Sequence, residues 1–431
     1  MKFSLRRLSV SPWIIFGAAL VYRLAVLYLV WHRMPPSQPN VWYGYETGRI
    51  AAAIASGEGF SSPLLPLKTG PTAFLCPIYP YLLAGIFKMG GVYSIKSHVI
   101  AQILNCLFVA LTVFPIYAIA LRTFGIGVAV FASWLWVILP TALHMPIAYV
   151  WDTSLFTLCF ALLFLATLAL RGERRFYVWG LYGLLWSVCA MINATCLSVF
   201  PFFMAWLIGE ARTRRVRWIW PASAALLVFS AGVTPWTIRN YLVFGRFVPV
   251  RSAFGMQLWE GNNPFAVDAD SLSMTAIFNR TEAQKYQRVG EIAYMRELQT
   301  EAVAFMRSHP RETFHRILRR IGKFWFGATD RPNNTWSGDP LYLKALVVSN
   351  VLFVLLGFLG AAKLWRSRSP RFPPYWIVLL VFPLVYYLTA TFVRYRFTID
   401  PILTVLASNG VASALVWLRS RAEATPNSPP R

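Results

Sequence analysis

Two stretches near the start of the chain, SPWIIFGAALVYRLAVLYLVW (11–31) and YGYETGRIAAAIASGEGF (43–60), set the architecture. The first is long and apolar enough, at about 1.5 Å of rise per residue, to cross about 30 Å of hydrocarbon as a helix. Lys2, Arg6 and Arg7 precede it and no small-residue cleavage site interrupts it, so it reads as an uncleaved first span with a cytoplasmic N-terminus. The second opens with Glu46, continues as an Ala and Ile rich helix and is stopped by Gly57 and Gly59. That pattern predicts a helix lying on the outer membrane surface.

Working outward, the same apolar signal recurs along all 431 residues, 57% of which are hydrophobic and only 13% charged. A soluble domain carries about 25% charged residues, so a soluble enzyme is excluded. About ten spans are predicted, near 11–31, 97–121, 125–143, 153–170, 176–192, 195–209, 218–241, 341–362, 374–391 and 398–418. The expected fold class is an all-α polytopic membrane protein forming one integral membrane domain over 1–431. The short connections holding Arg122, Arg171 to Arg175, Arg212 to Arg217 and Lys363 to Arg371 then fall on one side, with Arg419 and Arg421 after the last span. This is the positive-inside pattern, which puts both termini in the cytoplasm.

More than half of the 41 lysines and arginines nevertheless lie on the other side, in a chain whose formal net charge is +24. In a membrane protein that surplus points to an anionic ligand or to lipid headgroups, and no nucleic acid is implied. It sits mainly in two long outer loops, about 32–96 and 242–340. In the second, 281–309 reads as one soluble charged helix, and Pro310 opens another with Ser308 at or near its N-cap. That next helix, PRETFHRILRRIGKFWFG (310–327), has Phe314, Ile317, Leu318, Ile321, Phe324 and Trp325 on one stripe with Arg311, Arg316, Arg319, Arg320 and Lys323 around it. It is expected to lie in the interface, its arginines serving mainly as headgroup anchors. The tail 422–431 is Pro and Ser containing and reads as disordered. The five cysteines show no metal spacing and read as apolar packing residues.

Carboxylates are few, 17 in all, and the predicted spans hold almost none, which argues against a proton-coupled transporter. Glu46 is the most interesting, although a glutamate in a first helical turn also simply suits the helix dipole. Asp152, in YVWDTSL at the outer start of the fourth span, reads equally as an ordinary N-cap. Arg49, Lys68, Arg239, Arg394 and Arg396 lie at the same level, where such residues also snorkel to headgroups. GPTAFLCPIYP (70–80), with Tyr79, and WEGNNP (259–264), with Asn262 and Asn263, carry pocket chemistry or are tight turns. Asparagines and aromatic faces are what sugar hydroxyls and apolar ring faces pair with.

The runs GYETGRIAAAIASGEGF (44–60), GPTAFLCPIYPYLLAGIF (70–87), TPWTIRNYLVFGRFVPVRSAFGMQLWEGNNP (234–264) and VRYRFTIDPIL (393–403) resemble those of GT-C glycosyltransferases. The likeness is nearest to the bacterial members grouped as family 39 or RgtA/B/C/D-like, relatives of protein O-mannosyltransferases and lipid A aminoarabinose transferases. It covers nearly the whole chain. It implies a GT-C-like bundle in the bacterial inner membrane whose active site faces the periplasm. It further implies a polyprenyl-phosphate sugar donor and a lipid, glycan or protein acceptor in the cell envelope. Glu46 matches the family's first-loop acidic residue, where Asp is commoner and two adjacent acids occur in several members; here Thr47 follows. Asp152 matches a second acidic position, and Arg394, Tyr395 and Arg396 match a basic motif before the last span.

A polyprenyl phosphate leaves as a stable anion, so unlike a glycosidase such an enzyme needs no acid for its leaving group. One base suffices, and the resemblance assigns it to Glu46, with inversion. Arg49, Lys68, Arg239, Arg394 and Arg396 are candidates to hold phosphate. A divalent cation, Mg or Mn, bridging phosphate to Asp152 is allowed and not required. Two other classes stay open, a lipid-linked saccharide transporter or flippase and a non-catalytic envelope-assembly scaffold, although no internal repeat supports a transporter.

Overall fold

A computed structural model describes residues 11–31, 43–64, 67–266, 273–327 and 340–424. Among them the chain is helical throughout, with one isolated antiparallel bridge, Ser61 to Pro71, and no strand. In order the helices are α1 Pro12–Trp31, α2 Glu46–Ala55, α3 Ile78–Gly90, α4 Ile95–Leu111, α5 Val113–Phe124, α6 Ile126–Ile138, α7 Pro140–Ala148, α8 Thr153–Ala169, α9 Phe176–Ile192 and α10 Phe200–Thr213. There follow α11 Ile219–Phe244, α12 Phe254–Gly261, α13 Arg280–Val289, α14 Glu291–Ser308, α15 Pro310–Phe326, α16 Pro340–Arg366, α17 Phe372–Val381, α18 Leu384–Leu388, α19 Val393–Phe397 and α20 Asp400–Ala424.

The predicted spans reappear as helices, but only some are single rods. Among the described residues four helices are long and apolar enough to cross a membrane: Pro12–Val30, Ile95–Phe124, Ile219–Phe244 and Lys344–Arg366. A fifth crossing is the pair α6 and α7, bent by 46°, while Thr153–Ala169, Phe176–Ile192 and Phe372–Leu388 are shorter apolar helices. The chain is thus a multi-pass membrane protein whose spans are partly broken. Where two helices cross closely, small residues permit it: a Cβ on Gly360 of α16 would lie 1.8 Å from the Leu406 carbonyl of α20.

The bend between α6 and α7 follows from sequence. Leu139, which precedes Pro140, is extended (φ −61°, ψ 121°), as proline imposes on its predecessor. Pro140 and Pro146 have no N–H, so the carbonyls four residues back, of Trp136 and Ala142, have no intrahelical donor. Both accept instead from Arg23, fully buried in α1: Nη2 donates to Trp136 at 2.9 Å and Nε to Ala142 at 3.1 Å.

The two long inter-span segments are not separate loops. Leu64 and Phe74 of the first pack with Ala253, Met256, Ile277, Tyr286, Met295 and Leu298 of the second in one small core. The second departs from expectation in three ways. The single helix expected over 281–309 is divided into α13 and α14 at Gly290, whose φ of +84° and ψ of 156° suit glycine alone. Ser308 ends α14, its hydroxyl donating back to the Ala304 carbonyl at 2.9 Å, and stands one residue before His309 at the N-cap of α15, near the cap as expected. Arg316 and Arg320 are not headgroup anchors: both are buried. Arg316 donates to the Asn263 carbonyl at 2.7 Å, and Arg320 to the carbonyls of Tyr387 and Gly261. The expected apolar stripe is divided too, with Phe324 and Trp325 in the core and Phe314 and Leu318 exposed. At the C-terminus α20 runs on to Ala424, past the start expected for a disordered tail, and 425–431 lie outside the described residues. The five cysteines are buried free thiols.

Candidate active site

A cavity of about 420 Å³ opens where the two inter-span segments meet the ends of the bundle. Its wall takes Glu46 from α2, Cys76 and Tyr79 from the turn into α3, Trp151 and Asp152 from the start of α8, Asn193 and Thr195 from the turn after α9, Arg251, Gln257 and Glu260 around α12, and Tyr386, Arg394 and Tyr395 near α18 and α19. Four residues singled out from sequence therefore meet here: Glu46, Tyr79, Asp152 and Arg394.

Local geometry explains their placement. Gly44 has φ +66°, and a Cβ there would lie 1.4 Å from Nε1 of Trp151, so the Nε1 edge of the indole occupies the space a side chain would need, two residues before Glu46. The Trp151 ring also stacks on Tyr149, with centroids 5.1 Å apart, and carries the guanidinium of Arg394 at 4.0 Å. Arg394 is further held over Phe392 at 4.2 Å, a cation–π sandwich that aims it at the cavity. Asp152 stands at the N-cap position of α8 but makes no side-chain cap bond. The cap reading fails because its Oδ2 accepts from Nδ2 of Asn193 at 2.8 Å, which turns the carboxylate toward the cavity. Tyr79 donates to Oδ1 of Asn105 at 3.4 Å, and Tyr386 donates to Thr195 at 3.0 Å.

The cavity's electrostatics are mixed. Burial pushes the Glu46 carboxyl above its ordinary range, while its own backbone amide and Arg394, Arg49 and Arg251 pull it back toward ionisation. Asp152 is likewise raised by burial, against the pull of Asn193, Arg251 and Arg394. Glu260 is pushed up to about 8, chiefly by burial and secondarily by the neighbouring charge of Glu46.

The other sequence candidates stand elsewhere. Arg49 lies beside Glu46 but directs its guanidinium to the carbonyls of Pro63 and Ile277, each 3.5 Å away. Lys68 is 82% exposed and pairs with Glu58. Arg239 donates to the carbonyls of Thr72 and Phe60 and lies over Trp236 at 4.9 Å. Asn262 and Asn263 are buried and spend their amides on the carbonyls of Leu258, Leu388 and Trp259. Arg396 pairs with Asp400 at 2.9 Å and donates to the Trp325 carbonyl, joining α15, α19 and α20.

Sequence reasoning passed over Arg251, Glu260, Asn193 and Thr195. The signal for two of them was helical spacing: Met256, Gln257 and Glu260 share one face of α12, and Arg251 lies just before it. Around the cavity a hub carboxylate, Glu291, ties the two inter-span segments together. It accepts from Thr72 and Ser252 hydroxyls and the Tyr286 phenol, each at 2.5 Å, and from the Ala73 amide at 2.9 Å. Ser252 adjoins Arg251, and Ala73 leads directly into the cavity wall at Phe74. Among the described residues no three His, Cys, Asp or Glu side chains are grouped to hold a metal ion. The carboxylates here do not make a cation site by themselves.

No family model and no curated protein sequence matches the chain. Solved structures do. The Archaeoglobus fulgidus oligosaccharyltransferase in the apo form aligns with a TM-score of 0.56 at 13% identity, covering 97% of this chain and 52% of that one. The same archaeal enzyme, AglB, in complex with an inhibitory peptide and a dolichol-phosphate aligns at 0.54, with 13% identity and the same coverage. Its complex with Zn and sulfate aligns at 0.53, with 12% identity, covering 94% of this chain and 50% of that one. The fold is therefore the GT-C fold, as the sequence motifs implied. The chain spans about half the length of that oligosaccharyltransferase.

Proposed function

We propose that this chain is a membrane glycosyltransferase that moves a sugar from a polyprenyl-phosphate donor to a cell-envelope lipid, glycan or protein acceptor on the outer face of a bacterial inner membrane. The observation that carries the reading is the convergence of Glu46 with the guanidinium groups of Arg251 and Arg394 on one cavity, each from a different element. Two cations receive the phosphate as it departs, where the developing charge is greatest. Glu46 accepts the proton of the acceptor hydroxyl and directs it against the anomeric carbon from the side opposite the phosphate, giving inversion. A base whose proton affinity is raised toward the working pH is better suited to that transfer than an ordinary carboxylate. Neutralising Arg251 and Arg394 with donor phosphate would raise it further, so the base strengthens when the donor is in place. Asp152, fixed by Asn193, and the stacked rings of Tyr386 and Tyr395, 4.4 Å apart, offer hydroxyl and ring-face contacts for sugar. AglB, of the same fold, is known in complex with a dolichol-phosphate, a ligand of the same chemistry as the proposed leaving group. A Zn complex is known for that enzyme; here a divalent cation would take ligands from phosphate and water besides Asp152, and no step above runs through one.

The test is transfer from a panel of radiolabelled polyprenyl-phosphate monosaccharides to a crude envelope acceptor, comparing purified wild type with Glu46→Gln. Loss of about 10²-fold or more in the variant, with donor binding kept, is expected. Transfer retained by Glu46→Gln would remove the base assignment. No binding of any prenyl-phosphate sugar by wild type would favour the scaffold class, and binding without transfer by wild type would favour the transporter class.

A further inference from the structure

Arg23 has no part in the proposed chemistry, yet it is fully buried in a helix that is otherwise apolar. A buried guanidinium persists only where its donors are met. Among the described residues each of its three nitrogens donates to a backbone carbonyl: Ala19 at 3.0 Å, Trp136 at 2.9 Å and Ala142 at 3.1 Å. The last two are the carbonyls that would have paired with the amides of residues 140 and 146 in an unbroken helix. Both positions are proline. One side chain thus replaces two missing backbone donors on either side of a 46° bend.

The bend points at the cavity. The chain leaves α7 at Ala148 and enters the cavity wall at Trp151 and Asp152 within a few residues. Along that exit Gln102 of α4 donates to the Ile147 carbonyl at 2.7 Å and Asn105 to the Tyr149 carbonyl at 3.0 Å. Asn105 also accepts from Tyr79 on the facing wall. Trp151 in turn seats Arg394 and lies against Gly44, two residues before Glu46.

We propose that Arg23 is a positioning residue for the cavity: by donating to the two carbonyls that Pro140 and Pro146 leave without partners, it fixes the direction in which α7 delivers Trp151 and Asp152. Lysine cannot substitute, because one ammonium does not present a planar fork to carbonyls on both sides of the bend. The functional consequence rests on the reading of the cavity as the reacting site, but the geometry does not.

The experiment follows amide hydrogen exchange of the full chain in detergent, with thermal stability measured alongside, for wild type, Arg23→Met, Arg23→Lys and the triple variant Arg23→Met with Pro140→Ala and Pro146→Ala. Both single variants are expected to exchange at least about tenfold faster over 136–152, with 291–326 unchanged. The triple variant regains two backbone donors, so protection over 136–148 and stability return. Exchange over 149–152 stays fast, because a straightened helix no longer brings Ile147 and Tyr149 to Gln102 and Asn105. Recovery of both segments together would reduce Arg23 to a purely stabilising role and overturn the proposal, as would unchanged exchange in the single variants. Sugar transfer is then read on the same proteins, with at least about a tenfold lower kcat expected for the triple variant. Absence of transfer in wild type would count against the proposed function and leave the exchange result standing.

Discussion

The break between α6 and α7 lies in the apolar bundle, and the break between α13 and α14 lies in the inter-span region, and the two are held by opposite charges. Prolines make the first, and proline leaves carbonyls without donors; a cation, Arg23, supplies them. A glycine makes the second, and there an anion, Glu291, accepts from the hydroxyls of Thr72, Ser252 and Tyr286 and from the Ala73 amide, tying the start of α14 to the first inter-span segment. In each case the buried charge acts less as an ion than as a hydrogen-bonding hub, and in each case the segment it fixes leads into the cavity wall.

If that account is right, removing the Glu291 hub should have the largest effect. Glu291→Ala leaves two hydroxyls, a phenol and the Ala73 amide without their common acceptor, and each buried donor left unsatisfied costs about 1–3 kcal/mol. The expected result is a large fall in thermal midpoint together with protease cleavage between the two inter-span segments. Glu291→Gln should lose less, since one oxygen still accepts. Equal behaviour of Ala and Gln variants would mean that bulk rather than hydrogen bonding matters at that break. Next in size is Gly290→Ala. Nothing lies within 4 Å of the added Cβ, so the cost is backbone strain alone, about 1–3 kcal/mol at these angles. Gly44→Ala makes the useful contrast, because it adds collision with Trp151 to a positive φ and should therefore reduce donor binding as well as stability, read by titration with undecaprenyl phosphate.

These hubs show what sequence reveals and what it hides. The bundle was legible because lipid imposes length and hydropathy on each span, and the four motif runs carried the fold. Arg394 was legible as a charge just before the last span, and Glu46 as the acid that opens the first outer helix. Gly290 was overlooked inside an otherwise helical charge pattern, where a single glycine is a weak break signal. Asn262 and Asn263 drew notice over Glu260 because their chemistry suits sugars, but Arg320 on a distant helix claims the backbone and side chain around them. Which polar residues are consumed by structure depends on partners far off in sequence. Arg316 and Arg320 illustrate this best: on a helical wheel they look like headgroup anchors, and only packing against α12 and α18 turns them inward.

A pH-dependent effect separates a hub from a carboxyl that burial opposes. Glu260, on the cavity wall, holds its proton in the folded chain up to about pH 8, whereas in the unfolded chain it releases it near 4.5. Between those values the folded state binds more protons, so stability is fullest at the acid end and falls as pH rises, by at most about 1.4 kcal/mol per pH unit. Glu260→Gln should flatten the decline of the thermal midpoint between pH 5 and 8. An unchanged slope would move the titration to another group.

Lys68 should give the smallest effect, and it marks the limit of the comparison. Its ammonium pairs with Glu58 at 2.5 Å, closer than most contacts of Arg23, yet it is 82% exposed. Water competes for both partners, salt screens them, and two flexible side chains must be held, so such pairs contribute about 0–1 kcal/mol. Lys68→Ala is therefore expected to leave the thermal midpoint nearly unchanged and transfer within about twofold of wild type. A tenfold loss of transfer with stability intact would bring Lys68 into the donor site after all.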